Sequence, residues 1–105
     1  MSDYELGLRA EIDRSMEWRS GKAAEYPDDQ RNQQCADGLR ALLAWVDEGR
    51  GTVMMKRADA AWQHYNGVGA VHDMLSRFRF DDPAESFAAF LERLTDELER
   101  NGDHT

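Results

Sequence analysis

Residues 81–102 read DDPAESFAAFLERLTDELERNG. The segment carries both halves of a helix signal. Asp82 serves as N-cap, Pro83 brings a preset φ to the first turn, and Glu85 stands three residues on to close a capping box. Phe87, Phe90, Leu91, Leu94 and Leu98 then recur at the three- and four-residue spacing that puts them on one side of a helix. Gly102 is the stop, and residues 103–105 are expected to fray.

Working back from this segment, the same logic predicts four more helices and no strand. The first starts at Ser2, whose capping box is closed by Glu5, and buries Tyr4, Leu8, Ile12 and Met16 before ending at Gly21. The second follows Pro27, with Asp28 and Asp29 at its positive end, and runs to about Glu48 with Cys35, Leu39, Leu42, Leu43 and Val46 inside. Gly38 interrupts it at a cost of about 1 kcal/mol relative to Ala, which is tolerable or marks a close helix crossing. Gly49, Arg50 and Gly51 make a turn. Thr52 caps a third helix that presents Met54, Met55, Ala58, Ala61, Trp62 and Tyr65. Asn66–Gly69 breaks the pattern, and a short fourth helix uses Val68, Val71, Leu75 and Phe78. The expected architecture is all-α: a compact bundle of four principal helices and one short one, forming a single domain over residues 1–105.

Charge is unevenly spread. The net is −8 over 105 residues, but residues 81–105 alone hold eight acids against two bases. Residues 51–80 are the one basic stretch, with two acids and four bases. A pI near 4.7 argues against direct binding to nucleic acid or to an anionic membrane, and fits a basic protein partner. A lone cysteine rules out an internal disulfide and a multi-Cys zinc site, and fits a reducing, cytoplasmic setting. No run of about 18 apolar residues is present to span a membrane.

Two sets of residues are candidates for partner binding. At 100° per residue, Glu85, Glu92, Asp96 and Glu99 fall within about 60° of one another on the last helix, away from its apolar side. Such a strip could dock a basic surface, or it could be an ordinary solvated face. Arg93–Glu97 and Asp96–Arg100 are the expected ion pairs within it. Trp18 and Trp45 each lie roughly 100° from the centre of their helix's apolar stripe. They are boundary residues, set for burial between helices or, with Leu6, for an aromatic anchor.

Other groups are read as structural. Arg77-Phe78-Arg79-Phe80 interleaves bases with aromatics, as nucleic-acid readers do. But Phe78 continues the fourth helix's stripe, Phe80 can pack over the start of the last helix, and the arginines can serve the negative end of the fourth. Cys35 sits on an apolar stripe and is expected to be inert. His64 and His72 flank the glycine turn, with Asp73 and Ser76 nearby, and no metal spacing or oxyanion donors accompany them. The sequence therefore reads as a non-enzymatic acidic protein, without cofactor or metal, that binds a protein partner as a regulator or adaptor. Its sharper form is an inhibitor occupying a basic nucleic-acid-binding surface. A self-associating assembly protein, built on Trp18, Trp45 and Leu6, is the alternative. Behind both stands a ligand-binding or hydrolytic domain around His64, His72, Asp73 and Ser76, with the Asn66–Gly69 turn as its anion site.

Overall fold

The computed structural model describes residues 7–65, 68–80 and 82–102. It is an all-α bundle of five helices: α1 (Leu8–Glu25), α2 (Gln30–Asp47), α3 (Thr52–Trp62), α4 (Val68–Ser76) and α5 (Phe87–Gly102). α1 and α2 form an antiparallel hairpin, and α3 packs on α5. The short α4 lies chiefly against α1.

The hairpin is held at one end by Arg9, which binds both carboxylate oxygens of Asp47 at 2.9 and 2.6 Å. Nearer the other end, Arg19 donates to Asn32 Oδ1 at 2.6 Å. α1 begins at Leu8, and the expected capping box at Ser2 and Glu5, with Tyr4, lies outside the described residues. Gly7 offers no side-chain cap; instead the Leu8 N–H donates to Asp59 Oδ1 of α3 at 2.9 Å. A carboxylate from another helix thus satisfies one of the free donors of the first turn.

α1 also runs past Gly21, where the sequence places a stop. Tertiary packing absorbs that residue's poor helix propensity. The helix ends four residues later, because Pro27 disfavours helical geometry at Tyr26, which adopts φ −126° and ψ 71°. The buried face of α1 is Leu8, Glu11, Ile12 and Ser15, and Met16 is only half-buried.

α2 starts at Gln30, with Asp29 as its N-cap: the Asp29 carboxylate accepts the Arg31 N–H at 3.2 Å. Cys35, Ala36, Leu39 and Leu42 are fully buried along it. Gly38 marks a close approach, for a Cβ there would stand 2.9 Å from Arg79 Cγ and 3.2 Å from the Phe78 ring. Gly49 takes the left-handed conformation (φ 84°) that ends α2, and Gly51 lies under the Trp45 ring. Thr52 is the first residue of α3 and not its cap; its hydroxyl donates to the Gly49 carbonyl at 2.8 Å. Tyr65 lies beyond the end of α3, stacked on Trp62.

The largest departure concerns the start of α5. Helix begins at Phe87, with the Ser86 hydroxyl accepting the Ala89 N–H at 3.1 Å. Asp82 instead closes a separate turn: its carboxylate accepts the Ala84 N–H and its carbonyl the Glu85 N–H, both at 3.1 Å. Arg79 settles the competition. Its guanidinium lies over the Phe78 and Phe87 rings and donates to the carbonyls of Pro83 and Glu85. Once α5 starts, Phe90, Leu91, Leu94 and Leu98 are fully buried as expected. Phe78 joins them from beyond the end of α4, its ring 4.4 Å from that of Phe90. No helix among the described residues is long and apolar enough to cross a membrane.

Candidate functional site

The four acids expected to form one strip do not share an environment. Glu85 stands before α5, and its carboxylate is largely covered and bound by Arg93 through Nε at 3.1 Å and a terminal nitrogen at 3.0 Å. It therefore leaves the strip, because the helix starts two residues after it. Glu92, Asp96 and Glu99 stay on the outer side of α5. Glu92 and Asp96 are exposed, one helical turn apart.

Arg57 of α3 reaches across to the other end of the strip. It binds Glu99 through two nitrogens, at 3.2 and 2.6 Å, and approaches Asp96 at 3.5 Å. The hydrogen bonds from Arg57 hold the Glu99 carboxyl below its ordinary range. They hold the guanidinium above its own. Arg93 also reaches back to Glu85 at 3.0 Å, and Arg100 binds Glu97 at 3.0 Å. A shallow groove of about 420 Å³ runs between α4 and α5, lined by Ala70, Asp73, Met74, Arg93, Asp96, Glu97 and Arg100.

The two tryptophans do not form one patch. The ties Arg9–Asp47 and Arg19–Asn32 place Trp45 beside the start of α1 and Trp18 beside the start of α2. At 1.5 Å rise per residue they are separated by roughly 15 Å along the hairpin. Trp45 is half-buried, its ring 5.7 Å from that of Phe87 and covering Gly51. Trp18 is 43% exposed, with the His72 ring edge-on at 5.3 Å and the Arg19 guanidinium 4.8 Å from its ring centre. Leu6, the proposed third member, lies outside the described residues.

Arg19 is the residue that sequence reasoning missed. Its Nε donates to the Ser76 carbonyl at 2.8 Å, at the negative end of α4. Its guanidinium lies between Trp18 and Phe80, 4.8 Å from each ring centre. The Cys35 thiol is buried beside it and donates to the Leu75 and Ser76 carbonyls at 3.5 and 3.3 Å. Burial pushes this thiol above its ordinary pKa, the opposite of what a nucleophile needs.

The histidines face different surroundings. His64 is exposed at the end of α3, whereas His72 is turned toward Ser15 and Glu11 of α1. Ser76 donates to the Asp73 carbonyl and not to His72. Part of the Asn66–Gly69 turn lies outside the described residues. Among the described residues, no group of three or more His, Cys, Asp or Glu side chains is placed to hold a metal ion. No protein-family model, curated protein or solved structure matches this chain.

Proposed function

We propose that this protein acts without catalysis, by binding a protein partner through the outer face of α5, and that the partner's docking surface is basic. One observation carries the reading: Glu92 and Asp96 stand exposed one turn apart on a helix whose segment holds eight acids against two bases. Arg57 crosses to this face, where its closest bonds go to Glu99 and it meets Asp96 at 3.5 Å. Like charges at this spacing destabilise a helix by a few tenths of a kcal/mol, so they fit a surface that gains its complement from outside. In the sharper form of the reading, the face occupies a phosphate-binding groove of a nucleic-acid-handling protein and makes the chain a regulator or inhibitor.

The test is capture on immobilised protein from a native lysate, with elution by stepwise salt and a parallel column carrying Glu92→Lys with Asp96→Lys. A basic protein that the wild type holds, that salt releases and that the double variant fails to hold supports the reading. Equal capture by the double variant, with its helicity unchanged by circular dichroism, refutes it.

A second reading has one observation in its favour, the exposed Trp18 ring on α1. It makes the chain self-associating through that face. Sedimentation over a concentration range tests it: Trp18→Glu should convert an oligomer to monomer, and a monomeric wild type removes the idea.

A further inference from the structure

A ladder of alternating rings and cations crosses the bundle where the second half of α1, the start of α2 and the segment after α4 meet. Lys22 stands 5.7 Å from the Tyr26 ring centre and 5.8 Å from that of Trp18. Arg19 follows, 4.8 Å from Trp18 and 4.8 Å from Phe80, and Arg31 ends the ladder 5.8 Å from Phe80. Trp18 and Tyr26 are both exposed. Aromatic rings with arginines are what the centres of protein interfaces favour. The charges of the ladder do not all cancel. Lys22 meets Glu25 at 3.3 Å and Arg31 meets Asp29 at 2.9 Å. Arg19 bonds instead to two neutral acceptors, the Ser76 carbonyl and Asn32 Oδ1. The ladder therefore keeps one positive charge beyond its own pairs.

We propose that the ladder is the docking surface for the outer face of α5 on a second copy of this chain. The inference rests on the reading of that face as a docking surface and names one occupant for it. The two surfaces match in sign and in spacing. Glu92 and Asp96 stand exposed one turn apart on α5, and Arg19 and Lys22 stand one turn apart on α1 beside Trp18. Residues at either spacing are neighbours about 5–6 Å apart on a helix surface. Two carboxylates laid along that edge of α1 meet two cations and cover the indole. The net charge of −8 on each copy does not prevent this. At physiological salt, exposed charges more than about 8 Å apart are largely screened, so the charges at the contact outweigh the total. Because the two surfaces differ, the contact is head to tail. Each added copy leaves one ladder and one acidic face open, so growth does not stop at a dimer. The contact also hides Glu92 and Asp96, so a second copy competes with a basic partner for the same face.

The test is sedimentation of the purified protein alone, from about 1 μM to about 1 mM. The wild type should grow past a dimer as concentration rises and come apart as salt is added. Two variants each break one side of the contact. Trp18→Ser with Lys22→Gln removes the ring and its neighbouring cation, and Glu92→Lys with Asp96→Lys reverses the acidic face. Each should weaken association about thirtyfold or more while circular dichroism shows it folded. Mixed in equal amounts, the two should form a dimer that grows no further, because one intact ladder meets one intact face. Lys22→Gln alone loses only an exposed pair with Glu25, so it should weaken association about threefold and leave the melting temperature unchanged. A wild type that stays monomeric overturns the proposal, as does a mixture of the folded variants that stays monomeric. A dimer that the Trp18 variant loses and the acidic-face variant keeps also overturns it, because that contact pairs the ladder with itself. A monomeric wild type that still captures a basic protein through Glu92 and Asp96 removes the second copy and leaves the docking role of α5 standing.

Discussion

Replacing Arg19 with Met should be among the most damaging changes available outside the apolar core. Met keeps the stem and its packing, so the substitution removes chiefly the guanidinium. Three losses follow. Asn32 is 5% exposed and its Oδ1 loses the donor at 2.6 Å, stranding a buried acceptor at about 1–3 kcal/mol. The Ser76 carbonyl loses its bond at 2.8 Å but keeps the Cys35 thiol, which limits that loss to about 0.5–1 kcal/mol. The stacks on Trp18 and Phe80 contribute roughly 0.5 kcal/mol each. The total is about 3 kcal/mol, or a fall of roughly 15 °C in the midpoint of a chain this size. Urea and thermal unfolding would measure it. The companion variant Asn32→Leu, alone and with Arg19→Met, separates the buried bond from the stacks. The two losses should overlap by about 1 kcal/mol or more, because each single change strands the partner of the other. A loss below about 0.5 kcal/mol for Arg19→Met, or strict additivity in the pair, would refute the account of Arg19 as the tie between α1, α2 and α4.

Three further outcomes are expected. Among the described residues the buried Tyr65 hydroxyl meets no hydrogen-bond partner, so Tyr65→Phe should raise the urea midpoint by an amount worth about 0.5–1 kcal/mol; a decrease would mean that the hydroxyl is satisfied. Gly38→Ala gains about 1 kcal/mol of helix propensity, but its Cβ meets Arg79 Cγ at 2.9 Å and a buried ring at 3.2 Å. Overpacking of about 1–3 kcal/mol should win and lower the melting temperature, and a more stable variant would show that the 78–79 segment relaxes. Finally, arginine hydrogen bonds hold Asp29 down from 3.8 to about 2 and hold Asp47 and Glu99 below their ordinary 3.8 and 4.5. Groups of this kind bind more protons when unfolded, so their stabilisation is present above those ordinary values and is lost as pH falls toward 2. The melting temperature should decline through that window, and less steeply when Arg9, Arg31 and Arg57 are all replaced by Gln.

The parts of this fold that could be read in one dimension are those where burial follows a helical period. Leu39, Leu42 and Leu43 announce α2, and Phe90, Leu91, Leu94 and Leu98 announce α5, because each set repeats on one side of its own helix. Starts and stops were less legible. Asp82 and Ser86 both satisfy the rule for an N-cap, and the choice falls to Ser86 through Arg79, a residue outside the helix. Gly21 satisfies the rule for a stop, yet Pro27 imposes one that cannot be absorbed. At the candidate site, Glu92, Asp96 and Glu99 share a side as spacing requires. The charge balance of that side depends on Arg57, 42 residues away from Glu99, and no periodicity reports a partner on another helix. The same holds for Arg19, whose contacts lie 13 and 57 positions along the chain.

The bond from the Leu8 N–H to Asp59 has a temporal consequence. The acceptor is 51 positions downstream, so during synthesis the residues of α1 and α2 are joined before the group that completes the first turn exists. Closing so long a loop has an entropic cost that only docking of α3 can offset. The first turn of α1 is thus finished late. Amide exchange at Leu8 would time the arrival of α3, and a nascent chain stalled before residue 59 would keep that amide open to water.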